Sequence, residues 1–214
     1  AAMKTKSGVL GYVAAMPNSE VNRGVNAFTI GARRVNPNVR VVVAWTGAWE
    51  DPAKEAALAE RLIREQGADV LTYHQDDAAV AETADRLGAH FIVYNAPIPE
   101  RLTHGLAAVR CRWDVFYTDV LRRFLKSELN AVKNHWIGID RDAVALTSLS
   151  VEVTEQERLR LDALRQELVN QRLVFFGPLY DNGGVLRCGD SETISDDTLL
   201  ESMNWLAQGV TSLE

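Results

Sequence analysis

Apolar positions in the first hundred residues recur in two alternating rhythms, short runs of β-branched residues and longer stretches at helical spacing, and together they predict a βα array. Val9–Ala15 (VLGYVAA) reads as a buried strand, closed by the turn Met16-Pro17-Asn18-Ser19. Ser19 is placed to cap a helix over Glu20–Arg34, in which Val21, Val25, Phe28 and Ala32 share a face. Asn36-Pro37-Asn38 stops that helix, and a second strand runs over Val39–Trp45. The loop Thr46–Asp51 follows, with Asp51 capping a helix that has Pro52 in its first turn and reaches about Gln66. Gly67 ends it, Ala68–Tyr73 is a third strand, Asp77–Leu87 a third helix ended by Gly88, and His90–Tyr94 a fourth strand.

Strand starts recur about every 20 to 30 residues, the length that a right-handed βαβ crossover requires, so the sheet is expected to be parallel. Leu106–Arg110 makes a fifth strand and Trp113–Leu129 the helix after it. Beyond that the rhythm changes. Trp136–Val151 reads as a hairpin around Ile139-Asp140-Arg141-Asp142, and Thr154–Gln171 as an amphipathic helix with Leu161, Leu164 and Leu168 on its apolar stripe. Thr154 and Glu157 stand at capping-box spacing. Val174–Pro178 and Val185–Arg187 flank the turn Asp181-Asn182-Gly183-Gly184, and Asp196–Gln208 is a short closing helix. The fold class is therefore α/β, a parallel-sheet βαβ unit over residues 1–130 followed by a hairpin and helix segment over 131–214.

Composition narrows the function classes. With 47% hydrophobic and 24% charged residues in 214, the chain can build a core; 23 basic against 29 acidic residues give a net charge of −6, which argues against nucleic acid as partner. No apolar run is long enough to span a bilayer. Cys111 and Cys188 are too few for a disulfide scaffold, and the spacing leaves open whether they pair.

Ligands of open parallel sheets gather where the strands end, here Met16–Ser19, Gly47–Asp51, His74–Asp77 and Asn95–Pro99. No G-x-S-x-G elbow, P-loop, G-x-G-x-x-G or H-E-x-x-H motif lies there. His74 with Asp76 and Asp77 could hold a metal or form an acid/base pair, or the two aspartates could simply start a helix and complement its dipole. His104 and His135 read as loop histidines. Trp49, flanked by Gly47 and Ala48, offers either a stacking face for a flat ligand or packing against its own loop; Trp113 either shapes the pocket or faces the core.

A resemblance sharpens this picture. The strings SGVLGYVAA (7–15), EVNRGVNAFTIGARRVNP (20–37), WEDPAKE (49–55), QGADV (66–70), FGPLYDNGG (176–184) and MNWLAQGV (203–210) resemble the basic membrane protein family of ABC-importer substrate-binding proteins, which includes purine nucleoside receptor lipoproteins. The resemblance implies a two-lobed type I periplasmic binding fold with the ligand between lobes. On that reading residues 1–130 are the second lobe, and 131–214 cross the hinge and complete a first lobe that is otherwise missing. It implies an extracytoplasmic, periplasmic or membrane-anchored receptor that hands a purine base or nucleoside-like ligand to a permease, with neither cofactor nor metal. Trp49, in Gly47-Ala48-Trp49-Glu50-Asp51-Pro52, stands where the purine-binding relatives stack an aromatic on the base. His74, Gln75 and Asp76 replace a glycine-rich loop and would reach the ligand's polar edge, while Asn95, where relatives often have aspartate, and Trp113 would shape the pocket. The competing classes are a ligand-sensing regulatory module of the same fold and a nucleoside-processing enzyme. Association of copies through the surface left by the missing lobe is a further expectation.

Overall fold

The computed structural model describes residues 1–129, 135–171 and 174–214. Its element order is β1 (Val9–Ala14), α1 (Ser19–Val35), β2 (Arg40–Trp45), α2 (Pro52–Arg64), β3 (Val70–His74), α3 (Ala79–Arg86), β4 (His90–Tyr94), β5 (Gly105–Cys111), α4 (Trp113–Leu125), β6 (Val144–Thr147), α5 (Glu155–Gln171), β7 (Leu179–Tyr180), β8 (Leu186–Cys188) and β9 (Val210–Ser212). The main sheet runs β6-β5-β4-β3-β1-β2-β9, parallel throughout except for β6, which pairs antiparallel with β5. A separate two-stranded sheet joins β7 and β8.

Period-two alternation sends the strands' side chains to two cores. Leu10, Tyr12, Val41, Val43 and Val70 pack on one face with Val21 and Val25 of α1 and with Met203 and Trp205; Val13, Val42, Leu71, Phe91 and Val93 pack on the other with Leu62 of α2 and Val80 and Ala84 of α3. Strands covered on both faces are why the sequence shows continuous apolar runs there. Gly11 is required by the second core: a Cβ would stand 3.0 Å from Leu71 Cγ and 3.3 Å from Leu62 Cδ1.

Helix ends follow local chemistry. Asn18, not Ser19, caps α1, its Oδ1 accepting from the Val21 N–H at 3.0 Å, so the helix starts one residue earlier than expected. Asp51 caps α2 by accepting from Lys54 N–H, and Glu55 Oε1 accepts from Asp51 N–H in return. The Thr154/Glu157 capping box forms as read: Thr154 N–H donates to Glu157 Oε2 at 2.7 Å and Glu157 N–H to Thr154 Oγ1 at 3.3 Å.

Two expectations for the second half need correction. Trp136–Val151 is no hairpin: a 3₁₀ turn at Ile139–Arg141 and a left-handed Asp142 (φ 55°) lead into β6 alone, which finds its partner in β5. The closing helix over Asp196–Gln208 shrinks to a π-type turn at Thr198–Ser202, because buried side chains of α1 claim the backbone beyond it. Asn22 Nδ2 donates to Met203 O and Asn26 Nδ2 to Trp205 O, both at 2.9 Å, while Ala207 N–H donates to Asn26 Oδ1 at 2.7 Å. That clamp steers the chain into β9, a strand too short and polar to show in the sequence. α4 ends at Leu125, short of the expected Leu129, where Ser127 turns left-handed (φ 57°).

Candidate functional site

The carboxyl ends of β1 to β5 lie along one edge of the sheet, which brings together residues far apart in sequence. Trp49, partly buried in the loop between β2 and α2, stands edge-on to the imidazole of His74, the last residue of β3; their ring centroids are 5.6 Å apart with planes at 61°. His74 also meets Tyr94, the last residue of β4, at 4.3 Å and 47°. Gly24 of α1 eases the approach of that helix to Tyr12, since a Cβ there would lie 3.1 Å from Tyr12 Oη, while its 3.6 Å from His74 Nδ1 is an ordinary contact. Glu20 Oε1, in the first turn of α1, is 4.0 Å from His74 Nε2. One turn further, Arg23 donates through Nη1 to Leu199 O at 2.7 Å and holds its guanidinium 5.0 Å from the Trp136 ring centroid.

Burial sets the protonation of these groups. It is the main cause holding His74 below the usual histidine range, against the opposing pull of Glu20 and Asp76. The imidazole is therefore neutral at neutral pH, with one nitrogen donating and the other accepting. Burial likewise pushes the Tyr94 phenol up to about 12 and raises that of Tyr12. The cluster thus presents uncharged donors and acceptors on aromatic surface, flanked by the carboxylates of Glu20 and Asp76 and the guanidinium of Arg23, an arrangement suited to holding a flat polar ring. A nucleophile is less evident: burial raises the pKa of the partly exposed Cys111 thiol, which disfavours the thiolate. Among the described residues no group of three or more His, Cys, Asp or Glu could hold a metal ion.

The expected site residues fall into distinct positions. Trp49 and His74 come together in the ring cluster. Asp76 is exposed beside it, its N–H donating to Trp49 O at 3.0 Å. Gln75 lies beneath the loop rather than at a ligand's edge: it is 2% exposed and donates through Nε2 to Thr46 Oγ1 at 2.7 Å. Asn95 is exposed and left-handed (φ 51°), but its Oδ1 accepts from Cys111 N–H at 3.1 Å, tying the end of β4 to β5. Trp113 does not face the core; it is 54% exposed in a second ring cluster, stacked on Tyr117 at 6.0 Å and edge-on to Phe116. His135 meets Phe116 in that cluster, and His104 pairs with Asp85 at 3.0 Å. Sequence reading missed Tyr94, Glu20 and Arg23, although the first is the last residue of a strand and the others lie in the opening turns of a helix, both on the ligand edge. Surface clefts of about 430 Å³ (Met3, Val35, Gln156, Glu157, Arg160) and about 600 Å³ (between Pro52, Ala56, Ala79 and Arg86) contain none of these rings.

The fold is a mostly parallel α/β sheet unit with an aromatic cluster at its strand-end edge. Residues 1–176 match the family described as ABC transporter substrate-binding protein, PnrA-like (Bmp), and the chain belongs to that family. It is 31% identical over 216 residues to a purine-binding protein of Brucella abortus, covering 98% of this chain and 59% of that protein. It is 29% identical over 210 residues to a Haloferax volcanii protein named for ABC transporter glucose binding, covering 97% of this chain and 50% of that one. The chain thus spans between half and three-fifths of these relatives' length. A crystal structure of a transcriptional activator of the comK gene from Bacillus halodurans superposes with a TM-score of 0.73 at 23% identity, over 80% of this chain and 60% of that one. An ABC transporter solute-binding protein from Conexibacter woesei gives 0.64 at 17%, over 78% and 56%. These two likenesses concern the fold alone.

Proposed function

We propose that this chain is the ligand-binding lobe of a solute receptor serving an ABC importer, that it takes a purine base or a nucleoside-like molecule on the Trp49 ring, and that it acts by binding without turnover. The observation supporting this is the partly buried indole of Trp49, which packs against the core at the strand-end edge and stands edge-on to a buried, neutral His74 that in turn touches Tyr94. An aromatic platform beside uncharged hydrogen-bonding groups suits a heterocycle, whose stacking is worth about 1–3 kcal/mol per base. The name of the Brucella relative points to the same ligand class. Asp76, and the Asn95 amide nitrogen, for which no partner is found among the described residues, would supply polar contacts at the rim, while Trp113, in the second ring cluster, is not part of this reading. Delivery to a membrane permease and a location outside the cytoplasmic membrane complete the reading; no helix among the described residues is long and apolar enough to cross a membrane.

Titration with adenine, adenosine and glucose, followed by tryptophan fluorescence and calorimetry, tests it. Saturable quenching by the purines, weakened about tenfold or more by Trp49→Ala and accompanied by no product, is the expected result. Glucose binding without purine binding, or an affinity indifferent to Trp49→Ala, overturns the ligand assignment, and conversion of adenosine overturns the receptor.

A further inference from the structure

We propose that Gln75 is a positioning residue that acts through Thr46 to fix the Trp49 loop; this rests on the reading of Trp49 as the ligand platform. Thr46 begins the loop and is 3% exposed. Its hydroxyl oxygen lies 2.7 Å from Ala48 O, accepts from Ala48 N–H at 3.2 Å and lies 2.7 Å from Gln75 Nε2. A hydroxyl has one proton to give. The other oxygens around it, Ala14 O at 3.4 Å and Ala15 O at 3.5 Å, are acceptors as well, so that proton is committed to a carbonyl. The Gln75 atom facing Thr46 must then be the donating nitrogen. Three strand ends converge on this point: Thr46 N–H donates to Ala14 O at the end of β1, Gly47 N–H to Ala15 O just past it, and Asp76 N–H, beyond β3, to Trp49 O.

The remainder of the Gln75 side chain argues for a positioning role over a stabilising one. Its Oε1 is buried and has no hydrogen-bond partner among the described residues. A buried orphan acceptor opposes folding. An apolar side chain of the same length, such as methionine, would avoid that penalty while filling the space. What only glutamine supplies at this position is the donor to Thr46. Removing it leaves the Thr46 hydroxyl bonded to Ala48 within its own turn and severs the side-chain tie from the end of β3 to the turn 46–49 that presents the indole.

The test uses the ligand-free chain labelled with 5-fluorotryptophan, the Trp49 resonance being assigned by its loss in Trp49→Phe. Gln75→Met and Thr46→Val are each expected to shift or broaden the Trp49 signal and leave that of buried Trp205 in place. Thr46→Ser, which keeps the hydroxyl, should restore the parent spectrum, and the double variant should be no worse than either single one. The melting temperature of Gln75→Met should stay at or above the parent's. Adenine affinity should fall about tenfold in both single variants. An unmoved Trp49 signal in both variants, effects that add in the double variant, or a loss of melting temperature with no change at Trp49 overturns the proposal. A Trp49 signal that moves in a chain whose parent ignores adenine sustains the positioning role and defeats the purine reading instead.

Discussion

His74 has to stay neutral to remain both buried and useful. Because burial lowers its folded pKa, the unfolded chain binds a proton that the folded one refuses once the pH drops below about 6.5. Stability is therefore expected to fall from neutral pH toward acid through this group, with a slope of at most about 1.4 kcal/mol per pH unit. Urea midpoints of the parent and of His74→Gln, compared at about pH 7.5 and about pH 5.5, should diverge at the higher pH and converge at the lower. Asp69 and Asp85, held low by the backbone and side-chain hydrogen bonds they accept, have the usual carboxylate sign: their contribution is present above about pH 4 and lost as the pH falls further. Residue identity alone left His74 open to a ligand contact, an acid/base role or, less readily, a metal, and did not fix its protonation. The difference lies in the packing of the ring between Trp49, Tyr94 and the opening turns of α1.

Among the elements, α1 has the widest reach, because its buried face is partly polar. Asn22 and Asn26 satisfy backbone groups of Met203, Trp205 and Ala207, and so fasten a segment that lacks regular structure of its own. Asn26→Ala leaves Trp205 O and Ala207 N–H unpaired and is expected to cost about 2–4 kcal/mol. Amide exchange of Val41 and Leu213, whose N–H groups bond Gly209 O and Val43 O across β9, should accelerate in that variant more than exchange within β3. Thr154→Ala, which removes half of the α5 capping box, should cost about 1 kcal/mol by thermal denaturation. The first five strands and their helices were legible because continuous β-branched runs and helix-period stretches alternate there. β6 and β9 were not, since each forms only by pairing with a strand distant in sequence, and the asparagine clamp looks from sequence like ordinary helical polarity. The site was half legible for the same reason: Trp49 and His74 follow from strand-end position, whereas the burial of Gln75 and the engagement of Asn95 depend on neighbouring strands.

At the scale of the molecule, the two cysteines stay apart as free thiols, Cys111 partly exposed and Cys188 buried with its S–H donating to Glu192 O at 3.2 Å. A thiol reagent is expected to label Cys111 in the folded chain and Cys188 only on unfolding. No residue of α4 is buried, and Trp113, Tyr117, Leu121, Phe124 and Leu125 are all more than half exposed. These 214 residues should associate with rising concentration, as sedimentation velocity would register, and Leu121→Glu with Phe124→Glu should suppress it. The seam between β2 and β9 bears on biosynthesis. Val41 is paired with Val210, so the flank of β2 stays bare during synthesis until the distant segment that carries Val210 has emerged. For that interval the nascent strand offers an open ladder of amides to any passing chain, and a holdase would guard it.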